Sequence, residues 1–448
     1  MRTYRVICSA VAAIICPCLF LSACSSPPRS ANPGDTTCDG TIEGPAPTYI
    51  TAWFHTGQPA ERQTLGRQVA AFNASQRQVR VKLIDIPEAD YAAQVRSAAA
   101  TGNLPDLLDF DGPYLYNYAW SGKLKPLDSC VSGRLRADLL PSIAAQGRYA
   151  GRSWGIGTFD SGLGLYIRPS ILRQIGARIP SGVADAWTAT EFTGILHRLR
   201  SAGYRQPLDL TTTSTTPATA EWWTYGFAPV VWSAGGDLVD RATYRTAQGF
   251  LNSPASIRSL TIVQGWFRDG LVNPKMNDAF LRGQAPISWV GHWMYGPYHE
   301  AFPRDLRIVP LPRFGPRPSS GMGSWQWGMT ANAADGDAVW SFLSYLLQPA
   351  QVLQTASANG AVPATLSAIR LSPNYAPGGP EHIYVRQLQD GIARPRPQTP
   401  AYPVIGTAFA TAVARISQGR DAGQALDAAV RQIDANLAAN HYYIASEH

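Results

Sequence analysis

From residue 47 onward, apolar positions change between the spacing of strands and the spacing of helices. Residues 47–53 are β-rich, residues 60–76 place apolar side chains at helical spacing, and residues 79–86 alternate as a strand does. This β-α-β order predicts a parallel sheet, in which ligands gather beyond the carboxyl ends of the strands. His55 follows the first strand and is therefore a candidate at a cleft edge, with a solvated turn as the alternative.

A second buried strand is predicted in the stretch LPDLLDFD, residues 104–111. Alternation puts Asp109 and Asp111 on one face of this strand, which ends at a Gly-Pro pair. A carboxylate at such a position is well placed to accept hydrogen bonds from two hydroxyl groups. Two alternatives stay open: Asp111 caps the helix predicted over residues 114–120, or the two aspartates form the DxD motif of a metal-dependent glycosyltransferase.

Further elements follow the same periodicities. Helices are predicted over residues 186–203, where Thr188 and Glu191 form a capping box, and over residues 338–348. Other helices are expected after Ser253 and around an apolar stripe that ends the chain, and short strands at 286–290 and 307–312. The alternation of strands and helices predicts an α/β protein.

Two short segments combine glycine with tryptophan, GQAPISWVGHWM at residues 283–294 and GMGSWQWGM at residues 321–329. Glycine lets the backbone approach a ligand closely, and an indole offers a flat apolar face with one N–H donor. A pyranose presents C–H groups on its face and hydroxyl groups around its rim, so this combination suits a sugar. Trp289 and Trp293 are the candidates in the first segment. Packing of these tryptophans in a core is the alternative.

The composition limits the class of protein. With 448 residues and 45% hydrophobic residues, the chain is long enough for two domains. Its formal net charge is +7, and the arginines are scattered singly, so nucleic-acid binding is not expected. The seven histidines show no metal-binding spacing, and we expect neither a metal nor a cofactor.

The N-terminal segment has the features of a targeting signal. Arg2 and Arg5 precede an apolar run, and residues 21–24 read Leu-Ser-Ala-Cys, which resembles the lipobox of bacterial lipoproteins. We expect a signal peptide at residues 1–23, lipid attachment at Cys24 and a flexible tether over residues 24–46. An ordinary secretory signal is the alternative.

Two further cysteines remain once the leader and Cys24 are set aside. In an oxidising compartment, Cys38 and Cys130 are expected to form a disulfide that pins the end of the tether to the first domain. Two unpaired structural cysteines are the alternative.

Several blocks occur together in a family order. They are LPDLLDFDGPYLYNYAWSGKLKPLD, YAGRSWGIGTFDSGLGLYIRPSIL, Ala186-Trp187-Thr188, WSAGGDLVD, ISWVGHW, RIVPLP and NGAVPA. In this order they resemble ABC-transporter extracellular solute-binding proteins of the carbohydrate group, the maltose-binding-like cluster. The resemblance covers the chain from residue 47 to its end. Gly157 and Ser161 depart from the family pattern.

The resemblance implies two discontinuous α/β lobes, with the ligand cleft between them. Lobe 1 would contain residues 47–157 and 324–360, and lobe 2 residues 158–323 and 361–448. The hinge would be crossed near Gly157, Met322 and Ala361.

The resemblance also implies a set of ligand-binding residues on both sides of that cleft. These are Asp111, Asp160, Ser161, Trp293, Gly323, Ser324, Trp325 and Arg396, with Tyr402 as a further candidate.

The implied function is capture of a neutral or amino saccharide by hinge closure and its delivery to an ABC permease, without catalysis. The protein would act as a monomer anchored by lipid on the outer face of the cell membrane. A binder of glycerophosphodiesters or phosphorylated sugars is the alternative, in which Arg152, Arg168 or Arg396 would contact the phosphate as a pair. A glycosyltransferase is a third possibility.

Overall fold

The structure is a computed structural model that describes residues 38–42, 46–210, 221–275 and 277–444. The expected signal peptide, Cys24 and the part of the tether before Cys38 lie outside the described residues.

The strands are short apart from the first two. In chain order, the strands of the described residues are β1 (Thr48–His55), β2 (Val79–Ile86), β3 (Leu107–Asp111), β4 (Arg148–Tyr149), β5 (Arg152–Ser153), β6 (Phe159–Asp160), β7 (Leu163–Ile167), β8 (Leu208–Asp209), β9 (Val272–Asn273), β10 (Ile287–Gly291), β11 (Arg307–Val309), β12 (Ser320–Met322), β13 (Trp325–Met329), β14 (Val362–Pro363) and β15 (Ala393–Pro395).

The helices cover both sheets. Within the described ranges they are α1 (Pro59–Ser75), α2 (Glu88–Thr101), α3 (Leu115–Trp120), α4 (Gly133–Asp138), α5 (Pro141–Gln146), α6 (Pro169–Gln174), α7 (Ala189–Ser201), α8 (Glu221–Ala234), α9 (Pro254–Arg268), α10 (Tyr295–Ala301), α11 (Gly336–Leu346), α12 (Pro349–Asn359), α13 (Leu366–Leu371), α14 (His382–Gln389), α15 (Tyr402–Ser417) and α16 (Ala422–Ala439). None of these helices combines the length and the apolar character that a membrane crossing requires.

The first lobe is built on a four-stranded sheet with the order β13–β3–β1–β2. Strands β1, β2 and β3 are parallel, as the β-α-β pattern predicted, and β13 joins the edge antiparallel to β3. Leu108 and Phe110 lie in one apolar cluster and Leu107 in another, so the predicted alternation of β3 is confirmed. Strand β3 begins later than expected because the Asp106 carboxylate accepts hydrogen bonds from the backbone N–H and the hydroxyl of Thr51.

The second lobe is built on a five-stranded mixed sheet with the order β11–β7–β10–β8–β9. Strands β7 and β10 are antiparallel and buried along their whole length. Helix α7 begins at Ala189, later than the predicted residue 186, and Thr188 caps it as predicted: its hydroxyl accepts a hydrogen bond from the Glu191 N–H at 3.0 Å. Strand β11 is shorter than predicted and ends at Val309.

The closing helix α16 also matches its prediction. The four members of its apolar stripe are all buried in the second lobe: Leu426, Val430, Ile433 and Leu437. Since α15 packs against both α16 and α8, the C-terminal part of the chain completes this lobe.

Two small ribbons lie where the chain passes between the lobes. Strand β6 pairs antiparallel with β14, and strand β12 pairs parallel with β15. Strands β6, β12 and β14 adjoin the predicted crossings near Gly157, Met322 and Ala361, so we refer to these two ribbons as the hinge region.

The expected disulfide is present. Cys38 and Cys130 are joined across a sequence separation of 92 residues. The same N-terminal segment is held a second time, since the Gly40 N–H donates to Asp337 at 2.9 Å.

Candidate functional site

An ion-pair network lies between the lobes. Arg396, in the connection between β15 and α15, donates from Nη1 and Nη2 to the two carboxylate oxygens of Asp111, each at 2.7 Å. Its Nη1 also donates to Glu221, the first residue of α8, and the Tyr402 hydroxyl donates to the same Glu221 oxygen. The guanidinium therefore joins the end of β3 in the first lobe to a helix of the second lobe.

Aromatic rings enclose this network. The guanidinium carbon of Arg396 lies 4.8 Å from the ring centroid of Tyr225 and 5.9 Å from that of Tyr402. Only 3% of the Arg396 side chain is exposed. A charge so far from water is stable only when it is paired, and here two carboxylates and two ring faces surround it.

Burial changes the protonation of the network. Burial raises the pKa of Glu221 to about 7, although the charge of Arg396 acts in the opposite direction. Burial alone would lower the pKa of Arg396, but the attraction of Asp111 raises it. Arg396 is thus a permanent cation, and Glu221 is the titrating member of the pair near neutral pH.

The helix-capping alternative for Asp111 is wrong. Its side chain makes no capping hydrogen bond to the short helical turn that follows β3. Both of its oxygens are instead directed at Arg396.

Trp293 lies beside the network, on the side of the second lobe. Its half-buried ring meets Trp222 nearly edge-on at 5.9 Å and Tyr225 at 6.3 Å between centroids. Gly291 makes this position possible, because a Cβ there would lie 2.0 Å from the Trp293 ring.

The expectation that Trp289 faces a ligand is wrong. Trp289 is 1% exposed and packs between Phe227 and Trp266 in the core of the second lobe. Its indole N–H donates to the backbone oxygen of Gly226 at 3.2 Å. For this residue, the alternative of core packing is the correct one.

Asp160 and Gly323 contact each other at the hinge. The Asp160 carboxylate accepts hydrogen bonds from the N–H of Gly323 at 3.1 Å, the N–H of Ser161 at 2.8 Å and the amide of Gln146 at 3.2 Å. Asp160 is fully buried, and burial raises its pKa. The carboxylate joins two passages of the chain, so these groups are already used within the protein.

Ser161 is also engaged. Its hydroxyl lies 3.2 Å from Nε2 of His292, whose Nδ1 lies 2.8 Å from the backbone oxygen of Asn359. Burial lowers the pKa of His292 to about 4, so the ring is neutral at neutral pH.

His55 is buried, so the alternative of a solvated turn is wrong. Its Nδ1 pairs with Asp109, and its ring stacks on Trp325 with centroids 3.4 Å apart. Burial raises the pKa of Asp109. Together with Glu61, these residues border a small recess that Thr158 and Phe159 also line.

A second, shallower depression lies between the lobes and is lined in part by Arg396. Its lining is Gly112, Pro113, Tyr116, Gln146, Met322, Gly323, Pro395 and Arg396. Two buried polar atoms nearby, Oγ of Ser324 and Nε of Arg396, have no hydrogen-bond partner among the described residues. Such atoms commonly mark the place where a ligand or water completes a site.

Four contributors to the site were missed by sequence reasoning: Glu221, Trp222, Tyr225 and Gln326. The sequence does contain a feature that points to Glu221, a lone carboxylate directly before an aromatic run. It also contains one that points to Gln326, a polar residue between two tryptophans in a strand. It is fully buried, and neither atom of its amide group has a partner in the described ranges.

Metal ligation is not apparent at these carboxylates. Across the residues that the structure describes, no group of three or more His, Cys, Asp or Glu side chains is arranged to hold a metal ion. Asp109 is directed at His55 and Asp111 at Arg396.

The sequence matches the family described as bacterial extracellular solute-binding protein over residues 67–378. This match covers more than half of the chain. The chain belongs to that family.

Solved structures with the solute-binding fold agree with this assignment. The cyclic alpha-maltosyl-1,6-maltose binding protein of Arthrobacter globiformis has a TM-score of 0.70 at 24% identity, covering 87% of this chain and 99% of that one. The maltose/maltodextrin-binding domain of Bdellovibrio bacteriovorus bound to maltotriose has a TM-score of 0.72 at 20% identity, covering 87% of this chain and 100% of that one. At these identities the likeness shows the two-lobed α/β fold. No curated protein matches the sequence.

Proposed function

We propose that this solute-binding protein captures a saccharide, neutral or bearing an amine, between its two lobes and delivers it to an ABC permease. The observation that supports this most directly is the convergence of carboxylates and aromatic rings between the lobes. Asp111 lies on one side and Glu221, Tyr225 and Trp293 on the other.

The chemistry of a sugar fits this arrangement. Carboxylate oxygens accept hydrogen bonds from hydroxyl or ammonium groups, and the faces of Trp293 and Tyr225 suit the C–H groups of a pyranose. Closure of the lobes would bring both kinds of contact to one ligand, so binding favours the closed state.

The charge balance favours a neutral or amino sugar over a phosphorylated one. Arg396 already contacts two carboxylates, so its positive charge is offset within the network, which does not favour an added phosphate anion. The other two arginines considered are paired elsewhere, Arg152 with Asp128 at 3.5 Å and Arg168 with Asp305 at 2.8 Å.

Proteins of the same fold support a saccharide ligand. Those described above are named for a cyclic maltosyl-maltose and for maltodextrins, and a Thermotoga lettingae solute-binding protein was solved with alpha-D-tagatose. That structure has a TM-score of 0.73 at 19% identity and covers 87% of this chain and 100% of its own.

The proposal includes a location and an organisation. The protein is a monomer held at the outer face of the membrane by lipid on Cys24, and residues 24–46 act as its tether. Lobe 1 comprises residues 47–157 and 324–360, and lobe 2 residues 158–323 and 361–448.

The test is a calorimetric screen of mono-, di- and amino-sugars beside glycerophosphodiesters. Trp293→Ala is expected to weaken binding of the saccharide that is found by about two- to tenfold, since a stacking face contributes on the order of 0.5–1.5 kcal/mol. Trp340→Ala is the control, because Trp340 is also half-buried but lies on α11, in the helix layer of the first lobe.

Binding of a glycerophosphodiester and of no saccharide would replace this proposal with the phosphate-binding alternative. If Trp293→Ala and Trp340→Ala lost affinity equally, the assignment of Trp293 to the binding site would be contradicted. Turnover of an activated sugar would instead support a transferase.

A further inference from the structure

The disulfide joins the proposed tether to one particular face of the protein. Cys130 lies just before α4, which begins at Gly133 and is capped by the Ser132 hydroxyl. Cys24 and Cys38 are 14 positions apart in the sequence. A flexible segment of that length spans about 20 Å on average. If Cys24 carries lipid, as proposed, the surface around α4 is therefore held within short reach of the membrane.

Helix α13 lies beside α4 and extends this surface. The Asp138 carboxylate at the end of α4 accepts hydrogen bonds from the hydroxyl of Ser367 on α13 and from its N–H, the latter at 3.0 Å. The N–H of Leu140 donates to the backbone oxygen of Ala364 at 2.8 Å. On its inner side, α13 buries Ala368 in the apolar cluster that also contains side chains of β1 and β2. The outer sides of the two helices therefore form one surface, the α4–α13 surface.

The α4–α13 surface combines cations with apolar side chains. Arg134 and Arg136 are exposed on α4, and Arg370 is exposed on α13. None of the three has an ion-pair partner among the residues that the structure describes. Leu366 and Leu371 of α13 are 39% and 62% exposed. Arginine beside exposed leucine is the combination with which protein surfaces contact the headgroup region of anionic bilayers.

Carboxylates near this surface weaken its attraction to anionic lipid. Asp138 lies between the two helices, and Asp39 and Asp337 lie beside the disulfide, where Asp337 accepts from the N–H of Gly40. An arginine near an anionic bilayer contributes about 1 kcal/mol, so three arginines opposed by these carboxylates bind a free vesicle only weakly. A tether raises the local concentration so far that a weak contact is nevertheless occupied. The anchor and the surface therefore act together.

We propose that the α4–α13 surface rests on an anionic membrane when the chain is anchored at Cys24. Its arginines lie at the level of the lipid phosphates, and Leu366 and Leu371 enter the headgroup layer. This contact rests on the proposed lipid anchor and is independent of saccharide binding. It gives the anchored protein one orientation on the membrane in place of free rotation about the tether.

The test is arginine labelling by phenylglyoxal, read by mass spectrometry, on the lipidated chain inserted in vesicles. Phosphatidylcholine with about 30% phosphatidylglycerol supplies an anionic surface, and phosphatidylcholine alone supplies a neutral one. On the anionic vesicles, labelling of Arg134, Arg136 and Arg370 is expected to be slower by about threefold or more. Arg198 and Arg258 are the internal controls, because they are exposed on α7 and α9 and should label equally on both.

Paired substitutions separate this surface from general attraction to anionic lipid. In Arg134→Glu with Arg370→Glu, labelling of Arg136 on anionic vesicles should return to its rate on neutral ones. Arg198→Glu with Arg258→Glu makes the same change in net charge and should leave Arg136 protected. Salt at about 0.5 M should abolish the protection in wild type, since it screens the attraction between arginine and lipid.

Equal labelling of Arg136 on the two kinds of vesicle would overturn the membrane contact. Protection that persists in Arg134→Glu with Arg370→Glu would overturn it too, and would leave the α4–α13 surface to a protein partner. Flotation with neutral vesicles reports the anchor alone. A chain that floats without protection keeps its anchor and loses only the contact, whereas a chain that does not float contradicts the anchor and the contact together. Calorimetry of saccharide binding is independent of both results.

Discussion

The hinge contains a buried aspartate, Asp160, and the cleft a partly buried one, Asp111, and the two are used differently. Asp160 accepts hydrogen bonds from backbone N–H groups of two hinge passages, which can leave only if the backbone moves. Asp111 is bound by the side chain of Arg396, a residue of the other lobe. A carboxylate satisfied by backbone groups fixes the local architecture, whereas one satisfied by a side chain of the other lobe can exchange that partner for a ligand when the lobes separate.

The largest expected effect tests the hinge side of this comparison. Asp160→Ala would leave buried donors at Gly323, Ser161 and Gln146 without an acceptor. Each such donor costs about 1–3 kcal/mol, so we expect a loss of about 3 kcal/mol or more in the free energy of unfolding. Denaturant unfolding measures this quantity.

Asp90→Ala is the control, because Asp90 is exposed on α2. A change of less than about 0.5 kcal/mol is expected there. If the two variants were equally stable, the hinge role of Asp160 would be lost.

A pH series tests the surroundings of the hinge through Glu381. This residue lies close to Gly360, which precedes β14: a Cβ added at Gly360 would lie 3.1 Å from Oε1 of Glu381. Burial raises the pKa of Glu381 to about 8. Because the folded pKa exceeds the unfolded one, the folded state holds the proton more tightly, and stability is lost as the pH rises towards 8. This loss is about 3 kcal/mol between about pH 5 and pH 8.

Glu381→Gln cannot ionise, so its stability should lack this part of the decline. Glu221 contributes a decline of the same sign, which makes the difference between wild type and variant the informative quantity. Glu300→Gln, at an exposed position, should follow wild type. If the stabilities of wild type and Glu381→Gln declined in parallel as the pH rises, the raised pKa assigned to Glu381 would be contradicted.

The smallest expected effect lies in the cleft. Because Oγ of Ser324 is buried without a partner among the described residues, Ser324→Ala should leave the melting temperature unchanged or slightly raised. Affinity for the saccharide found in the screen should fall about fivefold, as expected for one hydrogen bond of about 1 kcal/mol.

Ser320→Ala sharpens the contrast. Its hydroxyl donates to the backbone oxygen of Leu163 at 3.1 Å and accepts from the N–H of the same residue at 3.3 Å. This variant should lose stability instead. If Ser324→Ala lost stability and Ser320→Ala lost only affinity, the roles assigned to the two serines would be contradicted.

Much of the fold was predictable from the sequence because its signals are local. The capping box of α7 and the apolar stripe of α16 each lie within a few turns of one helix. The antiparallel edge strand β13 was not predictable, because it pairs with β3 across more than 200 residues of sequence and no local pattern encodes that partner.

The candidate site was predictable only in outline. Trp289 and Trp293 are four residues apart, yet one is in the core and the other is half-buried beside Trp222 and Tyr225. Both faces of β10 are buried, so its periodicity does not distinguish them. The change of direction at Gly291, where the strand gives way to a helical turn, decides the outcome.

The disulfide between Cys38 and Cys130 has a mechanical consequence. A pull arriving along the segment before Cys38 reaches Cys130 through a covalent bond and is not borne by the hydrogen bonds between β1 and β2. Such a pull therefore bypasses β1, which lies inside the first sheet between β3 and β2. If the chain is anchored through that segment, as proposed, the covalent bond delivers the load to the first lobe at Cys130.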